Sequence, residues 1–233
     1  MEHRIYAIIP VAGTGSRMGT DILKQYMNLG DRPVLAHTLT AFEKVDLVEA
    51  IILAIDPLEE GYIKKEIVER YNIKKPLYYA TGGRDRQESV ANALSLIKDG
   101  DLVLIHDGVR PLVTPSVIEK TLQMADKYQA AATGMPVKDT IKNISEDGFA
   151  LSTPDRDRLW QIQTPQAFSL DLIKLAHKRA AEDGYRGTDD SSLVERLGYR
   201  VKLVEGGYYN IKITTPEDIA LALQLLRNGV DKK

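Results

Sequence analysis

The 233-residue chain predicts an α/β fold: a mainly parallel, Rossmann-like sheet with helices on both faces and a protruding β-hairpin arm. Three observations carry that expectation. Apolar runs of strand length alternate with longer segments of helical period, the pattern of right-handed βαβ crossovers. The strand-like runs are continuously apolar rather than alternating, as in strands covered on both faces. Past Val137 this rhythm gives way to two alternating stretches around Ser145-Glu146-Asp147-Gly148, where Asp-Gly is a hairpin turn signal.

Residues 5–10 form the first buried strand, and a glycine-rich sequence follows. A helix then carries Leu35, Leu39 and Phe42 at i, i+4 and i+7. Residues 48–55 read as a strand, 57–71 as a helix rich in Glu and Lys, and 77–80 as a strand ending in Thr81-Gly82-Gly83. The next helix places Val90, Ala93, Leu94 and Ile97 on one face. A buried strand at 102–105 runs into His106-Asp107, and a helix spans 115–128. The arm is an insertion at about 138–158, with alternating stretches at 140–144 and 149–153. A lone hairpin has too little partner surface to stand by itself. It either projects and packs against another subunit or folds back on the body, and projection is the preferred reading. Helices at 170–181 and 191–197, a strand at 201–204, a β-rich run at 210–214 and a helix at 216–227 complete a single domain over residues 1–233.

A chain 43% hydrophobic and 27% charged has material for a sizeable core. Its formal net charge of −2 argues against a nucleic-acid binder, which needs a basic excess to displace counterions. The absence of cysteine excludes disulfides, thiolate catalysis and cysteine-held zinc, and fits a cytoplasmic protein. No apolar run approaches the roughly 18 residues of a membrane span.

Parallel α/β sheets bind ligands beyond the carboxyl ends of their strands. Three polar sequences fall there: the loop from Gly13, Gly82-Gly83, and His106-Asp107. Gly13-Thr14-Gly15-Ser16-Arg17-Met18-Gly19 lets backbone N–H groups turn inward around an anion, but lacks Walker or dinucleotide spacing. A plain strand-to-helix turn is the competing reading of the glycines. Arg17 and Lys24, which serve no apolar period, favour phosphate. Asp107 suits Mg²⁺, a hard cation held by one or two carboxylates plus phosphates; alternatively it pairs with Arg110 and fixes the loop. His106 reads as a structural neighbour. Ser89 can bond a base or ribose, Asp85 with Glu88 reads as a helix cap, and Thr188-Asp189-Asp190-Ser191 as another. Arg156 and Arg158 by themselves read as solvated charge and Trp160 as packing. Lys212, in a β-rich run, needs an anionic partner, for which a ligand phosphate is the expectation.

These blocks resemble the sugar-phosphate cytidylyltransferases. They comprise Pro10-Val11-Ala12-Gly13 through Gly19 with Lys24-Gln25-Tyr26, Gly82-Gly83 with Arg86 to Val90, and His106 to Pro111. Asp155 to Trp160, Gln163 to Phe168 and Asn210 to Asp218 narrow the resemblance to the 2-C-methyl-D-erythritol 4-phosphate cytidylyltransferases. The resemblance implies a Mg²⁺-dependent transfer from CTP to a polyol phosphate. It places Arg17, Lys24, Arg156 and Lys212 in catalysis, and Ala12, Gly13, Gly15, Lys24, Gly83, Ser89, Asp107 and Gly108 around CTP. Asp107 is the metal-associated carboxylate, and Thr140, Arg156, Lys212, Arg110 and Thr164 hold the polyol phosphate. It also implies a homodimer in which each arm completes the other subunit's site. The chain has Leu23 where the family commonly has Pro, Val11 for a small Ala, and Gly108-Val109 for Ala-Ala. Ribitol-5-phosphate cytidylyltransferases share the fold and loop, but Arg156 followed by Leu159-Trp160 favours the methylerythritol enzyme. A non-catalytic nucleotide-binding domain has no need of Arg17, Lys24, Asp107 and Lys212 together.

Overall fold

The computed structural model describes residues 4–13 and 23–229. It begins with β1 (Ile5–Pro10); a 3₁₀ turn at Lys24–Tyr26 precedes a short hairpin, β2 (Asn28–Leu29) and β3 (Arg32–Pro33), then α1 (Val34–Glu43) and β4 (Ala50–Ile55). The helix expected at 57–71 is a composite: a 3₁₀ turn at Pro57–Glu59, α2 (Glu60–Tyr62), and a wider i→i+5 winding over Ile63–Glu69. Next come β5 (Leu77–Thr81), α3 (Arg86–Leu96), β6 (Leu102–Ile105) and α4 (Pro115–Tyr128). The second half contains β7 (Ala130–Pro136), β8 (Asn143–Ile144), β9 (Ala150–Ser152), β10 (Trp160–Ser169), α5 (Leu170–Glu182), α6 (Asp190–Arg196), β11 (Lys202–Glu205) and α7 (Pro216–Asn228).

The described residues build a seven-stranded sheet in the order β11-β7-β10-β6-β1-β4-β5. All neighbours are parallel except where β10 runs antiparallel to β6 and β7. The inner strands β4 and β6 are buried at every residue, while the edge β11 is mostly exposed and the edge β5 has one buried residue. Side chains of β1 divide by period two: Ile5, Ala7 and Ile9 join one core with Leu35, Ile63 and Ile118, and Ile8 joins another with Val90, Ile173 and Val194. Helices therefore cover both faces. From β1 the chain passes to β4 and β5 on one side, then returns to β6 on the other, so the order reverses between β1 and β6 and opens a crevice at their carboxyl ends.

Two strands of the sheet, β7 and β10, were not legible as strands. The Ala-rich β7 ends in Gly134-Met135-Pro136, and β10 contains Pro165; both sequences carry residues that strands usually avoid. Pro165 is tolerated because it lies where the β7–β10 register shifts between Ile162 and Gln166. The run at 210–214, expected to be β-rich, is irregular instead. Its backbone is held crosswise, Arg110 Nη1 donating to Asn210 O (2.8 Å) and Ile213 N to Val109 O (2.9 Å). The arm pairs over shorter stretches than expected, and every residue of β8 and β9 is exposed. Gly148 turns it at φ +87°, in the left-handed region that favours glycine.

Candidate active site

The chain bends over the end of β4 as it leaves β1. Val11 N and Ala12 N both donate to Ala54 O, at 2.8 and 3.1 Å. Gln25, 1% exposed, ties the next segment to this bend by donating from Nε2 to Val11 O (2.8 Å). A Cβ on Gly82 would lie 2.2 Å from Ala12 Cβ, so glycine there lets the ends of β1 and β5 touch. The result is a cleft of about 310 Å³ bordered by Ala12, Gly13, Lys24, Gly83, Ser89, Asp107, Gly108 and Lys212. These sequence-expected residues come together beyond the carboxyl ends of β1, β5 and β6. Gly15 and Arg17 lie outside the described residues.

Asp107 sits on the floor of the cleft, 5% exposed, where β6 ends. Oδ1 accepts from Arg86 Nε (2.9 Å), and Oδ2 meets Lys212 Nζ (3.0 Å) and Arg110 Nε (3.4 Å). Burial alone would push this carboxyl up; Arg86, Lys212 and Arg110 outweigh it and hold the group well below the usual carboxylate range. The pairing with Arg110 that the sequence left open is thus present, together with two further cations. Lys212 is half-buried rather than buried, and its anionic partner here is Asp107.

The loop around Asp107 is braced from β10. Thr164 Oγ1 accepts from Asp107 N (3.0 Å) and donates to His106 Nδ1 (3.1 Å), leaving His106 Nε2 to donate to Arg110 O (3.2 Å). Burial pushes His106 down to about 4, so the ring is neutral near pH 7. Its role is structural, as expected. The Thr164 proton is already engaged, which makes this hydroxyl an organiser of the loop. Ser89 is similar: it donates to Asp85 O (2.8 Å) and accepts from Gly83 N (2.9 Å), so it can offer a ligand only an acceptor. Asp85 caps α3 by accepting from Glu88 N (2.8 Å), as its position implied.

A second cavity of about 400 Å³ lies behind the first, lined by Arg110, Thr164, Gln166, Thr188, Asp189 and Ser191 among others. Arg86, Asp107 and Lys212 border both cavities and form the wall between them. Neither this second chamber nor the part played by Arg86 and Gln25 was visible in the sequence. At the start of α6, Asp189 does the capping, accepting from Ser192 N (3.0 Å), while Asp190 turns inward to Arg86. Thr140 and Arg156 lie on the exposed arm and border neither cavity of their own chain; Arg156 Nη1 donates to Lys138 O (3.1 Å).

Against this geometry, the IspD family model, 2-C-methyl-D-erythritol 4-phosphate cytidylyltransferase, matches residues 5–228. The chain belongs to that family. It is 48% identical over 224 residues to the 2-C-methyl-D-erythritol 4-phosphate cytidylyltransferase of Caldanaerobacter subterraneus, covering 96% of this chain and 99% of that one. The enzyme of the same name from Syntrophotalea carbinolica is also 48% identical, over 95% and 96% of the two chains. Among solved structures, the 4-diphosphocytidyl-2C-methyl-D-erythritol synthase of Anaerococcus prevotii superposes with a TM-score of 0.87 at 38% identity, covering 97% of each chain. The cytidylyltransferase of Thermus thermophilus does so at 0.79 and 32% identity, over 97% and 100%. The fold is thus shared with those structures over 97% of the chain.

Proposed function

We propose that the chain transfers CMP from CTP to 2-C-methyl-D-erythritol 4-phosphate. A phosphate oxygen of the polyol phosphate attacks the α-phosphorus of CTP, the bond to the β-phosphate oxygen breaks, and pyrophosphate leaves with the electron pair. The product is 4-diphosphocytidyl-2-C-methyl-D-erythritol. Family membership favours this acceptor over ribitol 5-phosphate. The observation that carries the reading is the wall of Arg86, Asp107 and Lys212 between two cavities. One cavity takes the triphosphate, the other the acceptor, and fixed cations stand where charge gathers during transfer.

Ala12, Gly13 and Gly83 shape the triphosphate side, with Gly15 and Arg17 assigned to it from the sequence alone. Lys24 and Lys212 face the same cleft and offset the charge of the pentacoordinate phosphorus. Arg110 and Thr164 belong to the acceptor side. Among the described residues no group of three or more potential ligands could cage a metal, and both Asp107 oxygens are engaged. Asp107 is the carboxylate that would hold Mg²⁺ carried in by phosphate oxygens, giving up a cation contact to do so, and the ion would supply neutralisation of triphosphate charge.

Ile144, Phe149 and Leu151 of the arm are 65–71% exposed, an apolar surface that suits burial against a second copy of the chain. In such a homodimer Thr140 and Arg156 enter the partner's acceptor cavity. No described helix is long and apolar enough to cross a membrane, and a cytoplasmic enzyme is the reading that cysteine-free composition supports. Purified protein given CTP, methylerythritol phosphate and Mg²⁺ is expected to release pyrophosphate. Turnover confined to ribitol 5-phosphate, or no turnover with any polyol phosphate, overturns the reading.

A further inference from the structure

Behind the wall that separates the two cavities lies a second carboxylate. Asp190 is 1% exposed, and it is not used to cap its own helix. Its Oδ2 accepts from Arg86 Nη1 (2.6 Å) and its Oδ1 from His177 Nε2 (3.1 Å). Arg86 on α3, half-buried, and the buried His177 on α5 and Asp190 on α6 thus meet in one chain that ends on Asp107.

A guanidinium prefers to present its fork to one carboxylate with two parallel bonds. Arg86 does not. It gives Nε to Asp107 and Nη1 to Asp190, and Nη2 is buried without a hydrogen-bond partner. Asp107 is therefore touched by Arg86 through a single nitrogen, which leaves its other oxygen to Lys212 at 3.0 Å and, more distantly, to Arg110 at 3.4 Å. Charge points the same way. Arg86, Arg110 and Lys212 face Asp107 and Asp190, an excess of one positive charge on a wall that two anionic ligands approach. Burial would lower the Arg86 pKa; Asp190 first and Asp107 second more than restore it.

We infer that Asp190, oriented by His177, is a positioning residue that holds Arg86 to one bond with Asp107 and so keeps Lys212 available beside the reacting phosphates. The inference rests on the cytidylyltransferase reading and deepens it. In Asp190→Asn the restraint is lost, Arg86 closes its fork on Asp107, and Lys212 is displaced. The same substitution makes the wall more positive, so CTP binding is retained while the aligned geometry is not.

The test compares wild type, Asp190→Asn, Arg86→Lys and the double variant, reading pyrophosphate release and calorimetric CTP affinity. The kcat of Asp190→Asn is expected to fall about tenfold to a hundredfold, as misplacement by an ångström does, with CTP affinity unweakened. Because Asp190 acts through Arg86, adding Asp190→Asn to Arg86→Lys is expected to cost little further rate. Should Asp190→Asn fail to fold, a gentler pair reads the same contact: His177→Gln keeps a side-chain N–H toward Asp190 and retains the rate that His177→Leu loses. An unchanged kcat with a lowered Tm makes Asp190 a structural tie and overturns the inference, as does full multiplication of the two effects in the double variant. Absence of wild-type turnover with methylerythritol phosphate is a different failure, that of the functional reading. The Arg86 guanidinium resonances then decide: Nε–H stays bonded to Asp107 in both proteins, and Nη2–H, without a partner in wild type, shifts downfield in Asp190→Asn as the fork closes; an unchanged Nη2–H overturns the inference.

Discussion

Asp107 and Arg156 belong to the same proposed reaction and live in opposite surroundings. Asp107 is buried, with both oxygens and its backbone N–H bonded to residues of its own chain. Arg156 is exposed on the arm, and its guanidinium donates to a backbone oxygen of the same arm. The first region is preorganised by folding; the second, in the proposed dimer, is finished by the partner subunit. Electrostatic preorganisation lets fixed cations act without rearranging during reaction, whereas the contacts proposed for the arm would depend on assembly.

The contrast is sharpened most by removing a cation from the body. Lys212→Ala is expected to lower kcat by about 10²–10³, the cost of deleting one fixed donor at a developing charge. Steady-state pyrophosphate release reads this, and a loss confined to KM would make Lys212 a uniform binding group.

Acid tests the body's stability. The Asp190 carboxyl is held below its ordinary value: burial raises it, and Arg86 and His177 more than reverse that. A depressed folded pKa contributes stability that is complete above the unfolded value near 3.9 and is lost as pH falls through the lower folded value. Urea midpoints are therefore expected to drop steeply below about pH 4, and less steeply in Asp190→Asn. That variant is less stable at neutral pH by roughly 1.5–3 kcal/mol, because a charge-assisted hydrogen bond is lost while Arg86 keeps Asp107. Equal slopes in both proteins would remove Asp190 from the acid response.

The smallest effect belongs to the arm. Phe149→Ser is expected to weaken dimerisation by about 2 kcal/mol per buried ring while leaving the monomer's unfolding midpoint unchanged. Sedimentation equilibrium measures the first and thermal melting the second. An unaltered dimer would mean that the exposed apolar arm is not the interface.

The parts of the fold legible in the sequence were those that advertise themselves locally. The apolar run Ile5–Pro10 and the helical period at Leu35, Leu39 and Phe42 behave as read. Asp107 was found because a carboxylate at the end of a buried strand is conspicuous. What escaped was set by distance. Arg86 and Asp190 are 104 residues apart, and nothing near either announces the other. Asp189 and Asp190 look alike at a helix start; only the packing of α6 against α3 and α5 assigns one to capping and the other to an ion pair. β7 and β10 escaped because Ala, Gly and Pro speak against strands, and tertiary pairing overrode them.

One strand spans both regions. β10 starts at Trp160, paired with Pro136 near the base of the arm, and four residues later presents the hydroxyl that fixes Asp107 and His106. At roughly 3.3 Å per residue that is a path of about 13 Å. A displacement of the arm by a partner therefore has a short, stiff route to the floor of the active site, and the register shift between Ile162 and Gln166 is where that route can yield. In the proposed homodimer, subunit contact and catalytic alignment would share a mechanical element, and substitutions in the Ile162–Gln166 stretch would be constrained from both ends at once.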